Sequence, residues 1–213
     1  MAGKREDPFP SSALGWRGDF IISYLSPWIV PAPVLQGVRI AAINFHTGPP
    51  EYPGIGCTNF AIYNGESRYG VTAHHMAERV DSGPLIAVRR FPVHKEDTVF
   101  TLTRRCYENL RVLFTEVMIH FFSVGKLPES AEKWTKAPYT RGDLERLCEV
   151  SLEMPLEEIE RRIRATTYPD MPGAYIDIYG HRFEYVSRSS GGWKNEQLPK
   201  RELSASKERS EDK

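Results

Sequence analysis

The sequence predicts an α/β fold, on three observations. Four short runs (residues 19–25, 38–43, 69–76 and 85–93), the second mostly aliphatic, read as strands. From Thr98 onward, Leu102, Cys106, Leu110, Leu113, Phe114, Val117 and Phe121 repeat at threes and fours, the apolar stripe of a long helix laid over a sheet. Between the second and third runs, three prolines and three glycines fall within the ten residues after His46, which makes a fixed, irregular loop.

Taken in order, residues 1–14 are polar and proline-containing without periodicity and read as an irregular arm. Residues 19–25 read as a buried strand that runs straight into Ser26, Pro27 and Trp28. Residues 38–43 read as a second buried strand, leading into Asn44 and His46. Residues two apart in a strand share a face, so Asn44 and His46 lie together while Phe45 points into packing. Beyond the loop, Phe60 and Tyr63 share a helical face that Asn64-Gly65 ends. In the strand that follows, alternation puts Val71, Ala73 and His75 on one face and Thr72, His74 and Met76 on the other. His74 and His75 therefore cannot readily chelate one ion, and they read as structural rather than as a metal site. Gly125 and Pro128 end the long helix. Residues 143–148 suggest a short helix or turn. Residues 155–165 are a clear helix with Pro155 suited to its first turn, Leu156, Ile159 and Ile163 on one face, and Arg161, Arg162 and Arg164 as surface candidates for a phosphate or for plain solvent. Residues 175–186 read as a hairpin about Gly180. The run after Ser187 is charged and glycine-containing and predicts a flexible tail. The resulting division is an arm at 1–18, a core at 19–135, an extension at 136–187 and a tail at 188–213.

Composition narrows the function. Twenty-eight basic and twenty-eight acidic residues give no net charge and no support for electrostatically driven nucleic-acid binding. The three cysteines, Cys57, Cys106 and Cys148, are widely spaced without a C-x-x-C, so they indicate neither a disulfide framework nor a zinc site. No apolar run approaches the length of a membrane span and the N-terminus lacks a signal-peptide core, so a cytoplasmic location is expected.

The chemistry sits at the ends of the strands. In Val80-Asp81-Ser82-Gly83-Pro84 a carboxylate stands beside a turn. An amide (Asn44), an imidazole (His46) and a carboxylate (Asp81) can thus converge as oxyanion donor, general base and partner to the base. By residue type alone, the alternative is that Asn44 and His46 serve only as hydrogen-bond partners of the loop.

Asn44-Phe45-His46, the Pro/Gly loop, Gly70-Val71-Thr72 and Val80-Asp81-Ser82-Gly83-Pro84, in this order, resemble the folate-dependent formyltransferases, whose site is an Asn-x-His pair with an Asp thirty-odd residues later. The resemblance covers residues 19–186. It implies an open, mostly parallel sheet entered at its fourth strand, because only eighteen residues precede Asp19. The N-terminal part of the domain is then expected to be missing, whether as a fragment, a gene-model truncation or a degenerate member. Apolar surface from Phe20, Ile21, Ile22, Ile40 and Ile43 would lack its cover. The implied catalytic residues are Asn44, His46 and Asp81, and no metal is implied. The implied formyl donor is 10-formyltetrahydrofolate, placed by Leu25, Ser26, Pro27 and Trp28. The loop after His46, the hairpin and the lack of a sizeable C-terminal domain resemble the amino-sugar branch, so the implied acceptor is a nucleotide-linked amino sugar, with glycinamide ribonucleotide and methionyl-tRNA as alternatives. A further alternative is an inactive remnant that binds folate or a sugar nucleotide. The implied partners include a second copy or another chain over the missing half, and neither DNA nor a membrane.

Overall fold

The computed structural model describes residues 7–169 and 171–186. The tail at 188–213 and the first six residues of the arm lie outside that range, and the rest of the arm holds a short 3-10 turn, Ser11–Ala13. One four-stranded sheet forms the core, in the order β1 (Gly18–Tyr24), β2 (Val38–His46), β3 (Arg68–His75), β4 (Leu85–Pro92). β1 and β2 run parallel, linked through the single-turn helix α1 (Ala32–Leu35). β2 with β3, and β3 with β4, are antiparallel.

This corrects the mostly parallel sheet that the resemblance implies: the sheet is mixed and mostly antiparallel. The connections explain why. A parallel return needs a crossover over a sheet face. After β2, the loop and α2 (Cys57–Tyr63) stay at the carboxyl end of the strand, so β3 starts there and runs back, with His46 opposite Thr72 and Ile43 opposite His75. β3 and β4 are joined by a turn too short for any crossover.

The expected helix appears as α3 (Val99–Val124). Thr98 caps it through a box with Thr101, and Gly125, in the left-handed region, ends it. Leu102, Cys106, Leu110, Leu113 and Val117 are buried beneath it with Ile43, Phe45, Tyr69, Val71 and Ile86 from the sheet. Phe20 and Phe45 meet Phe121 and Phe114 edge-on at ring separations of 4.9 and 5.2 Å.

β1 departs from the buried strand expected. It is an edge strand in which Ser23 alone is buried, and Ile22 is 39% exposed. Ile40, near the start of β2, is 53% exposed, whereas Ile43, also expected to lack cover, is fully buried.

The extension follows as α4 (Arg141–Cys148), α5 (Leu156–Thr166) and the hairpin β5 (Tyr175–Ile178) and β6 (His181–Glu184). Pro155 stands at the cap position of α5 rather than inside it. On the expected face of α5, Ile159 and Ile163 are half-buried and Leu156 is exposed, and the burial continues to Ala165 and Thr166 at its end. Its arginines are tied down rather than free. Arg161 and Arg162 pair with Glu158. Arg162 also donates to the carbonyls of Arg146, Leu147 and Glu149, satisfying the end of α4. Arg164 donates to the carbonyls of Lys95 and Asp97 ahead of α3. Among the described residues, no helix is long and apolar enough to cross a membrane.

Candidate active site

β2 delivers Asn44 and His46 to one end of the sheet, as their spacing predicts. His46 is buried where β2 gives way to the Pro/Gly loop. The loop folds back so that its Nε2–H donates to the Tyr52 carbonyl at 2.9 Å. That approach requires Gly48: a Cβ there would stand 2.5 Å from the Tyr52 oxygen and 2.7 Å from His46 Nε2. Thr72 on β3 holds the same loop, its hydroxyl donating to the Gly48 carbonyl at 2.8 Å. With Nε2 carrying the hydrogen, the neutral ring keeps its lone pair on Nδ1.

Asp81 completes the group from the turn between β3 and β4. Its backbone lies in the left-handed region at φ 45°, a conformation that aspartate tolerates better than most residues. Its Oδ2 accepts from the Gly54 backbone N–H at 2.8 Å and lies 3.4 Å from His46 Nδ1. Its Oδ1 lies 3.2 Å from His74 Nε2 and 3.4 Å from Asn44 Nδ2. Burial pushes this carboxyl up, but the His46 and His74 rings, when they carry charge, together with the Gly54 N–H outweigh burial and hold it at about 2. It is an anion at neutral pH, with an imidazole on each oxygen.

His74 is the site residue that the sequence left among structural ones. Its Nδ1–H donates to the His75 carbonyl at 2.9 Å, so Nε2 is free to accept from Asn44 Nδ2 at 3.1 Å. The signal was its place in the alternation, on the same face as Thr72. His75 points away, and burial pushes its imidazole down. The Asn44 amide N–H groups face His74 and Asp81.

A cleft of about 340 Å³ opens over the group, bordered by Asn44, His46, His74 and Asp81 and also by Ser26, Pro27 and Trp28. Leu25 is not on it. Its backbone is left-handed at φ 52°, and it lines an adjoining cavity of about 470 Å³ along β1. The Trp28 indole N–H donates to the Asp7 carbonyl at 3.0 Å, which leaves the ring to line the cleft. Burial pushes the thiols of Cys57 and Cys106 up, so both are protonated and inert. The cleft thus holds a buried carboxylate between two imidazoles and an amide, the set needed to move a proton beside a carbon that becomes tetrahedral.

Residues 15–118 match the family model for formyl transferases. Among curated proteins, the chain is 30% identical over 175 residues to a methionyl-tRNA formyltransferase of Lactobacillus acidophilus, covering 79% of this chain and 53% of that protein. It spans about half the length of the first such relatives it matches. Among solved structures, a sugar N-formyltransferase from a Shewanella species superposes with a TM-score of 0.69 at 21% identity, over 78% of this chain and 68% of the other. An N-formyltransferase from Helicobacter canadensis, solved with folinic acid and dTDP-3-aminofucose, gives 0.62 at 20% identity, over 79% and 62%. The fold is of the formyltransferase type, and Asn44, His46 and Asp81 converge within it.

Proposed function

We propose that this chain transfers a formyl group from 10-formyltetrahydrofolate to a primary amine. The observation that carries the reading is the convergence of Asn44, His46 and Asp81 on one cleft that Ser26, Pro27 and Trp28 also line. The amine attacks the formyl carbon, and His46 takes its proton on Nδ1; the tetrahedral centre then collapses with cleavage of its bond to folate N10, which takes that proton from His46 and leaves as tetrahydrofolate. The Asp81 carboxylate, 3.4 Å away, offsets the charge that the ring acquires. The tautomer comes from the Tyr52 carbonyl rather than from Asp81. Asn44 turns one N–H from its long 3.4 Å contact with Asp81 toward the oxygen that becomes negative. One such donor in a dry site contributes about 3 kcal/mol. Ser26, Pro27 and Trp28 flank the donor's ring.

For the acceptor, the amine of a nucleotide-linked amino sugar is supported by the sugar N-formyltransferases among the structural likenesses. The 30% identity to a methionyl-tRNA formyltransferase favours a second reading, in which the amine belongs to an aminoacyl-tRNA. Offering the intact chain 10-formyltetrahydrofolate with a dTDP-amino sugar, glycinamide ribonucleotide or methionyl-tRNA, and weighing the products by mass spectrometry, separates these readings. Formylation of one acceptor, reduced on the order of a hundredfold in His46→Ala, is the expected result. No formylation of any of the three, with folate still bound, would mean a binding remnant instead.

A further inference from the structure

Residues 128–139 run from the end of α3 across the loop that positions His46, and they are stitched to it throughout. The Thr135 N–H donates to the Pro50 carbonyl at 3.1 Å, the Tyr139 N–H to Pro53 at 2.9 Å, and the Ile55 N–H back to Tyr139 at 3.0 Å. Arg90 adds a clamp by pairing with Glu51 of the loop and Glu132 of the strap. Tyr139 stacks on Phe60 at 3.9 Å, and Lys136 lies over the rings of Tyr52 and Tyr139. The gripped stretch supplies both backbone groups that orient the site, the Tyr52 carbonyl on His46 and the Gly54 N–H on Asp81.

Trp134 is where the strap meets the imidazoles. Its ring stands edge-on to His74 at 5.1 Å and to His46 at 6.0 Å. Its indole N–H donates to the Gly83 carbonyl at 2.8 Å. Gly83 in turn packs on the His75 carbonyl so closely that a Cβ would stand 1.9 Å from it, and that carbonyl is the acceptor that sets the His74 tautomer. Trp134 does not border the catalytic cleft. It borders a second, open cavity of about 700 Å³ together with His75, Pro84, Glu129 and Lys133.

We propose that residues 128–139 form a positioning strap in which the Trp134 ring is the partition between this second cavity and the imidazole pair, keeping water off His46 and His74 from that side and holding the Gly83–His75–His74 contacts in place. Closing that side strengthens the interactions among Asn44, His74 and Asp81 and leaves the cleft as the way to His46 and His74. The proposal rests on the formyl-transfer reading only where it names His46 as base.

The test has an arm that needs no turnover. The intact chain is treated with diethyl pyrocarbonate, and acylation of each histidine is followed by peptide mass spectrometry, with exposed His181 as internal reference. His46 and His74 label slowly in the wild type. In Trp134→Ala both label several-fold faster relative to His181, while Trp134→Phe, which keeps a ring in the gap, stays near wild type. If the alanine variant does not fold, Trp134→Leu, too narrow to fill the partition, takes its place with the same expected rise. Unchanged labelling of His46 and His74 in a folded alanine or leucine variant overturns the proposal. In the second arm, the alanine variant lowers kcat with little change in KM, and the phenylalanine variant restores it. Absence of turnover in every form, wild type included, counts against the formyl-transfer reading and leaves the labelling result to decide the strap.

Discussion

Asp81 gathers the charge of the site into one buried carboxylate, and its titration is measurable. In the folded chain it sits at about 2 against an ordinary 3.8. A depressed carboxylate contributes stability that is full above the unfolded value and is lost as pH falls through the folded one. The window is therefore pH 4 down to 2, and the contribution is about 2 kcal/mol. Asp81→Asn removes the charge while tolerating φ 45°. We expect urea unfolding of the wild type to weaken between pH 5 and 2 by more than that of the variant; equal slopes would show that the imidazoles do not hold the carboxylate. Gly48 offers a second test at this scale. Gly48→Ala forces the Tyr52 carbonyl or the His46 ring aside. Turnover should fall at least tenfold, since a misplacement near 1 Å can cost a hundredfold. Full activity in a folded Gly48→Ala chain would mean that the Tyr52 contact does not orient the base.

Among the elements, α3 supplies most of the cover for the sheet. Leu110 is fully buried beneath it, and truncation to alanine should cost about 2–5 kcal/mol. Thr98, whose hydroxyl accepts from the Thr101 N–H, should cost about 1 kcal/mol on change to alanine. Equilibrium denaturation reads both. A loss at Thr98 as large as that at Leu110 would mean that the cap, and not the buried stripe, carries the helix. The arginines of α5 belong to this scale too. Read as bare residues they suited a phosphate as well as solvent, and their partners are carbonyls and a carboxylate that tie α5 to α4 and to the start of α3.

For the molecule as a whole, the feature that bears on association is the open side of β1. Among the described residues, no strand pairs beyond it, and Ile22, Tyr24, Leu25, Ile29 and Ile40 are exposed nearby. An unpaired edge with apolar side chains recruits other chains. We expect the chain to self-associate at micromolar concentrations, and Ile22→Lys, which sets a charge on that edge, to shift it toward monomer. Light scattering after size exclusion reads the outcome. A wild type that stays monomeric at all concentrations would show that the edge is inert.

By itself the sequence determined whatever depends on neighbours a few residues apart. The stripe of α3 and its stop at Gly125, the hairpin about Gly180, and the Asn44–His46 pair on one face all follow from periods of 3.6 and 2 and from residues with restricted backbones. The tertiary structure decided whatever depends on where distant segments meet. Strand direction was one such matter, because an apolar run is buried equally well in a parallel or an antiparallel ladder and the path of the loop selects between them. The place of His74 was another, since Asp81 reaches it only through the turn after β3. So was the hydrogen on His46, which follows from a carbonyl that Gly48 and the strap at 128–139 bring within 2.9 Å. Local propensity carries no term for such contacts; they exist only once packing has fixed both partners.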